Sequence, residues 1–416
     1  MIKKLIFIAF CLAGLGVLQA FAQKDADIQN LIDRGNHHAE TGSFDSAFFY
    51  FDKSLSMGKA AGNALAEAES HLGLGTMFYI TGDYKSCLER FSTALEIGQK
   101  HEEASGILAR SYSLFGVTQS TIGQYREGLQ NIRKALQDLA VGPLDTLDAA
   151  EVYSNAGVVY NQNGRTDSAL VCYKVAAELE TAGNGPGSYN LGAVFYNIAG
   201  CLTQLGNYHE AHKYLHKALN INIDVLGEIN PGVGYICLSL SGNYSNLGDI
   251  EKELLYANRG LTVLEAVFGS GHPRLAGAYD QLGWIYQRRE SGLPMAMRYL
   301  QKALEIKRAT YPEFHSEVAK TLKNIGLVYE IRGSYDTAIQ YFNQSIEIHK
   351  AITGSTSRDV ALCLEQLAKC YYKKGETELA IQLCQQQIDA INSFSDGHHP
   401  LLGNAYTSLS LSLIHI

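Results

Sequence analysis

The chain has 416 residues, 46% of them hydrophobic and 18% charged, with a formal net charge of −8. That balance excludes intrinsic disorder and leaves no electrostatic footprint for DNA or RNA. Eight cysteines without a CxxC pair or a short Cys/His cluster exclude a zinc finger or ribbon, and buried thiols are the expectation.

In chain order, residues 1–22 come first. Lys3 and Lys4 precede an apolar run from Leu5 to Leu18 that ends in Ala20-Phe21-Ala22. This is the pattern of a secretory signal peptide cut before Gln23, and the run is too short to span a membrane. The mature chain is therefore expected to be exported to the periplasm or the outside of a bacterium, with no membrane insertion after cleavage. Phe10 stands before Cys11 where a lipidation signal needs a small residue, so ordinary export is the reading.

A helix-pair signature then recurs along the rest of the chain, with a spacing of 42 residues from Tyr153 onward. Its clearest copy runs Leu322, Ile325, Gly326, Tyr329, then Gly333, Tyr335, Ala338, Phe342 and Ser345. Such a period marks a solenoid, in which each unit buries its apolar face only against its neighbours. The glycines that close the first helix (A) of each pair are Gly42, Gly82, Gly123, Gly164, Gly206 and Gly248, a displaced turn near Gly292, then Gly333 and Gly375. Nine units are complete and a tenth starts near Gly403. A left-handed residue is expected at each of these glycines, and Asp83, Asn207, Asp249 or Ser334 can then cap the second helix (B).

Seven places before each turn sits a small residue (Gly35, Gly75, Gly116, Gly157, Ala199, Ser241, Gly283, Gly326 or Ala368), and five places after sits alanine in most units (Ala47, Ala169, Ala211, Ala338, Ala380, with Ala296 in the shifted unit). Short side chains at these places mark where two helices cross closely. Large partners such as Tyr160, Tyr329, Phe51, Phe91, Tyr173 and Phe342 fill the remaining core. Pro143, Pro186, Pro231, Pro273, Pro312 and Pro400 fall between units and Pro294 in a turn, so no proposed helix is interrupted. No stretch alternates with period two, and the fold class is all-α.

The last hexapeptide, residues 411–416, resembles the translation of a transposase adapter used in sequencing libraries. On that reading residues 23–410 are solenoid, 411–416 are an artefact and the natural chain continues past Ser410.

From about residue 28 to 410 the pattern resembles the tetratricopeptide repeat, and the resemblance implies a right-handed α-solenoid of stacked antiparallel helix pairs. The usual 34-residue unit is lengthened here by about two turns of helix, shared between A and B. Long units with Gly271-His272-Pro273, Asn230-Pro231 and His399-Pro400 links look like the kinesin light chain type. Departures are His315-Ser316 and Ser357-Arg358, which lack the proline, and unit six, which has Glu253 and Gly260 where alanine is usual.

The resemblance implies a concave face lined by helix A. Carried onto this chain, it assigns Ser113, Ser120, Thr121, Ser154, Asn161, Gln162, Tyr196, Thr203, Gln204, Ser245 and Asn246 in the middle units. In the later units it assigns Asp280, Trp284, Arg288, Lys320, Lys323, Glu330, Lys369, Tyr372 and Lys373. Asn155, Asn197 and Asn324 share a position beside that face where family members hold peptide. The expected partner is a protein or peptide segment, with neutral groups for its backbone and Lys or Arg for its carboxylates. Trp284, the single tryptophan, is the expected anchor.

His209, His212 and His216 share a helical stripe too long for one ion, so no metal is expected. No P-loop, GxSxG or HExxH motif is present, and no cofactor or catalysis is expected of the visible chain. The reading is a non-catalytic scaffold. The alternative, by family analogy alone, is the recruiting arm of a larger exported protein whose output is a caspase-like CHAT protease or a membrane-bound kinase or transcription regulator. Oligomeric state is left open.

Overall fold

A computed structural model describes residues 23–39, 43–101, 105–141, 146–289, 291–355, 357–394 and 400–414. The signal-peptide reading, Gly42, Pro143, His398 and His399 lie outside these residues. The described residues form 19 α-helices and no strand. They fall into two compact units divided at Ile221/Asn222.

The first unit holds α1 (residues 23–39), α2 (Phe44–Ala61), α3 (Ala64–Thr81), α4 (Tyr84–Lys100) and α5 (Ser105–Thr121). It continues through α6 (Tyr125–Val141), α7 (Thr146–Gln162), α8 (Thr166–Asn184), α9 (Tyr189–Gln204) and α10 (Tyr208–Leu226), the last of which crosses the division. The second unit holds α11 (Pro231–Asn246), α12 (Ile250–Phe268), a 3-10 turn (Pro273–Leu275), α13 (Ala276–Gln287), α14 (Leu293–Thr310) and α15 (Ser316–Ile331). It ends with α16 (Tyr335–Thr353), α17 (Arg358–Lys373), α18 (Thr377–Phe394) and α19 (Pro400–Ile414). Odd-numbered helices are A and even-numbered helices B. From α3 to α8 and from α11 to α18 each A helix packs on the B helix that follows it, and neighbouring A helices touch, as α5 does α7 and α13 does α15.

The turn glycines adopt the left-handed backbone that ends helix A, with φ of +84° at Gly82, +72° at Gly164 and +77° at Gly333. Gly62, Gly185, Gly227, Gly269 and Gly354 also have positive φ after helix B, but ψ is extended at Gly185, Gly269 and Gly354, a second set that the sequence pattern did not single out. Gly292 differs, with φ −85°. It is glycine because a Cβ there would lie 2.1 Å from the Tyr286 carbonyl oxygen, where the shifted turn folds back on α13. Asp83 and Asp249 accept hydrogen bonds from the Ser86 and Lys252 amides and cap α4 and α12, whereas Ser334 makes no side-chain cap bond.

The small-residue positions are the helix crossings. A Cβ on Gly75 would lie 2.4 Å from the Phe91 ring, on Gly157 2.6 Å from Tyr173 and on Gly326 2.7 Å from Phe342. Each aromatic of helix B thus fills the place that a missing side chain leaves on helix A. The alanines at the other crossing position, from Ala47 to Ala380, are fully buried. Burying one such aromatic is worth roughly 1.5–3 kcal/mol. Seven described cysteines are free and buried, with burial pushing the Cys87, Cys172, Cys201 and Cys237 thiols up to about 11. They pack as apolar groups.

Candidate functional site

Residues one repeat apart meet along the A helices. Asn155 donates through Nδ2 to Ser113 Oγ at 3.1 Å, Tyr79 and Thr121 hydroxyls lie 3.1 Å apart, and Gln281 donates to the Leu238 carbonyl at 3.0 Å. The ladder follows from the constant register, which brings equivalent positions of neighbouring A helices side by side.

In the first unit, α1, α3, α5, α7 and α9, with Phe51 of α2 and Glu180 and Asn184 of α8, line a cleft of about 740 Å³. Its apolar lining includes Ile32, Leu72, Met77 and Val194, and its amides and hydroxyls include Asn36, Thr76, Ser154, Asn155 and Asn190. Its charges are five carboxylates, Asp33, Glu69, Asp148, Glu151 and Glu180, against the single guanidinium of Arg110. Arg110 Nε lies 3.0 Å from Glu151 Oε2 and 3.2 Å from Asp148 Oδ1. Glu180 is buried and accepts from Asn184 Nδ2 and Ser188 Oγ, both at 3.1 Å. Burial pushes the Glu69 carboxyl above the ordinary range; Arg110 offsets part of this, while Asp148 and Asp33 add to it.

Of the expected set, Ser154 and Asn155 line this cleft. Tyr196 and Asn197 lie half-buried on α9 and outside its lining, and Ser113 and Ser120 are buried. Sequence reasoning missed the charges of the cleft. Glu69, Arg110 and Glu151 each stand thirteen places before a turn glycine, the same place that Lys320 holds before Gly333, so a column alternating in sign was there to be read in the early repeats.

In the second unit the expected basic stretch is largely neutralised. Arg288 pairs with the buried Glu253 and lies 3.7 Å over the Trp284 ring, which is 39% exposed. The guanidinium is thus engaged by Trp284 on one face and by Glu253 through a terminal N–H. Lys369 pairs with Glu365 at 2.6 Å and Lys373 with Glu330 at 3.3 Å. Lys320 is exposed and 4.0 Å from Glu317, and Lys323 and Asn324 are half-buried on α15.

Asp280, expected on the open face, is buried. It accepts from Lys307 Nζ at 2.5 Å and from Thr321 Oγ1 at 2.9 Å, and Lys307 also reaches Glu317 Oε2 at 2.7 Å. Burial raises the Asp280 carboxyl although Lys307 works against it. Glu317 moves the other way, because Lys307 outweighs its smaller exposure to burial. This network ties α13, α14 and α15 together.

Among the described residues no group of three or more His, Cys, Asp or Glu is placed to hold a metal. His212 and His216 pack ring to ring, 4.5 Å apart. No helix of the described residues is long and apolar enough to cross a membrane.

The tetratricopeptide repeat family model matches residues 148–224, 292–351 and 317–389. Kinesin light chain-related 2 of Arabidopsis thaliana is 24% identical over 291 residues, which cover 68% of this chain and 42% of that protein. Kinesin light chain-related 3 of the same plant is 25% identical over 252 residues, 59% of this chain and 37% of its own. The chain thus spans less than half the length of these relatives.

Among solved structures, the apo form of the quorum sensor NprR from B. thuringiensis aligns with a TM-score of 0.66 at 13% identity, covering 88% of this chain and 99% of that one. The apo form of RapI aligns with a TM-score of 0.62 at 16% identity, covering 89% and 99%. At such identities these likenesses show the fold. Tetratricopeptide repeats, a scaffold typical of protein binding, are thus matched over residues 148–224 and 292–389, and the chain is similar in sequence to kinesin light chain-like proteins.

Proposed function

We propose that this chain binds an extended protein segment along the A-helix faces of its repeats and performs no chemistry on it. The observation that carries this is the cleft of about 740 Å³ in the first unit. It is lined by five A helices and holds amides and hydroxyls that suit a peptide backbone beside apolar floor residues. A rigid array fixes these groups before the partner arrives, which lowers the ordering cost of binding.

The remaining expected contacts, Tyr196, Asn197, Trp284, Arg288, Lys320, Lys323, Asn324, Lys369 and Lys373, extend the same reading to the other A helices. Of these, Lys320 and Lys323 are the cations least committed to carboxylates. A library of short peptides measured by fluorescence anisotropy tests the reading. Binding should appear at micromolar affinity, and Asn155→Ala with Ser154→Ala should weaken it while lowering the melting temperature by no more than the loss of the Asn155–Ser113 hydrogen bond explains. Uniform failure of the library, or affinity untouched by those changes and by Lys320→Ala with Lys323→Ala, would refute it.

The same reading places the protein outside the cytoplasm, on the strength of Lys3, Lys4 and the apolar run after them. A fusion of residues 1–40 to a reporter active only after export should be active, and an inactive, unprocessed fusion would sink the idea.

A further inference from the structure

The charges of the first unit's cleft are unequal, and those of the second unit's A helices are not. In the second unit Arg288, Lys369 and Lys373 each meet a carboxylate of a neighbouring residue or helix. In the cleft five carboxylates share one guanidinium. Arg110 lies between Asp148 and Glu151 on the α7 side, so those two are satisfied from within the chain. Asp33 and Glu69, on α1 and α3, are not. No ion pair reaches either among the described residues, and the one hydrogen bond given to Asp33 comes from Gln29 of its own helix at 3.0 Å.

Asp33 and Glu69 do not converge with a third ligand on one metal ion among the described residues. Separated carboxylates along a cleft suit cationic groups spaced along a chain instead. Arg110 shows the mode, since a guanidinium is already seated there against two carboxylates.

We propose that the first unit's cleft takes a segment of a partner polypeptide bearing Arg or Lys, seated on Glu69 and Asp33, with Asn36, Asn155 and Asn190 meeting its backbone. This rests on the segment-binding reading above and specifies its chemistry. A cation there offsets carboxylates that crowd one another in a partly dehydrated cleft, where such pairing is screened less than on open surface.

The test uses three fluorescein-labelled nonapeptides with free ends blocked: three repeats of Arg-Ala-Ala, of Gln-Ala-Ala and of Glu-Ala-Ala. At about 50 mM NaCl the Arg peptide should bind at least about tenfold more tightly than the Gln peptide, and the advantage should collapse at about 500 mM. Glu69→Gln with Asp33→Asn should abolish the advantage and leave Gln-peptide affinity unchanged, which also reports that the cleft is intact. Asp33→Asn alone, at an exposed position, should lose part of it. Equal binding of the Arg and Gln peptides, preference for the Glu peptide, or an advantage that survives the double substitution would overturn the cationic seat while leaving segment binding standing. Binding of none of the three, together with failure of the wider library, would overturn both.

Discussion

Glu253 occupies a position that other units give to alanine, and its side chain is almost wholly buried. Arg288 from the next A helix makes it tolerable by pairing with it and lying over Trp284. Arg288→Ala should therefore cost about 3–5 kcal/mol, because an unpaired charge stays inside. Glu253→Ala should be near neutral, and the double variant should recover most of the loss. A urea-denaturation double-mutant cycle measures this, and additive losses would exclude the pairing as the cause.

His71 makes a second prediction at this scale. Burial, then Arg90 and Lys59, push its imidazole down to about 4, so it is neutral in the fold. The unfolded chain binds its proton near pH 6.5, so His71 contributes stability above that value and the contribution is lost as pH falls toward 4. An imidazole NMR titration with a midpoint near 6.5 would contradict it. Glu69 runs in the opposite sense. Its raised folded pKa means that ionisation weakens the fold as pH rises above the ordinary glutamate value. Glu69→Gln should thus stabilise at pH 7 and have little effect near pH 4.

At the scale of elements, the crossing of helices A and B depends on a glycine facing an aromatic. Gly326→Ala places a methyl 2.7 Å from the Phe342 ring and should cost about 1–3 kcal/mol through overpacking. Phe342→Leu in the same chain should restore part of it, a compensation that thermal denaturation would reveal. Caps differ among repeats in the same way. Asp83→Ala removes a bond to the Ser86 amide and should lower the melting temperature, whereas Ser334→Ala removes no cap bond and should leave it nearly unchanged. The Lys307 network belongs to this scale too. It replaces apolar packing between α13, α14 and α15 with directional bonds that fix their register.

For the whole molecule, stability in a repeat array is a sum of units and of their nearest interfaces. Damage should accordingly stay near its origin. Phe342→Ala should lower amide-exchange protection in α15, α16 and α17 and leave α3, α4 and α5 unchanged. A uniform loss across both compact units would show long-range cooperativity instead.

The sequence by itself determined the helix pairs, the turn glycines and the crossing residues. These depend on local periodicity and on volume at fixed offsets, which a repeat displays many times over. Glu253 looked like a defect of the pattern and Asp280 like an open groove residue, because their partners Arg288 and Lys307 lie 35 and 27 residues away. Those pairings, and the surplus of carboxylates gathered from α1, α3, α7 and α8 into one cleft, were decided only by tertiary structure. Charge acts through space on whatever folding brings near, so its balance at a site appears only when neighbouring helices are set side by side.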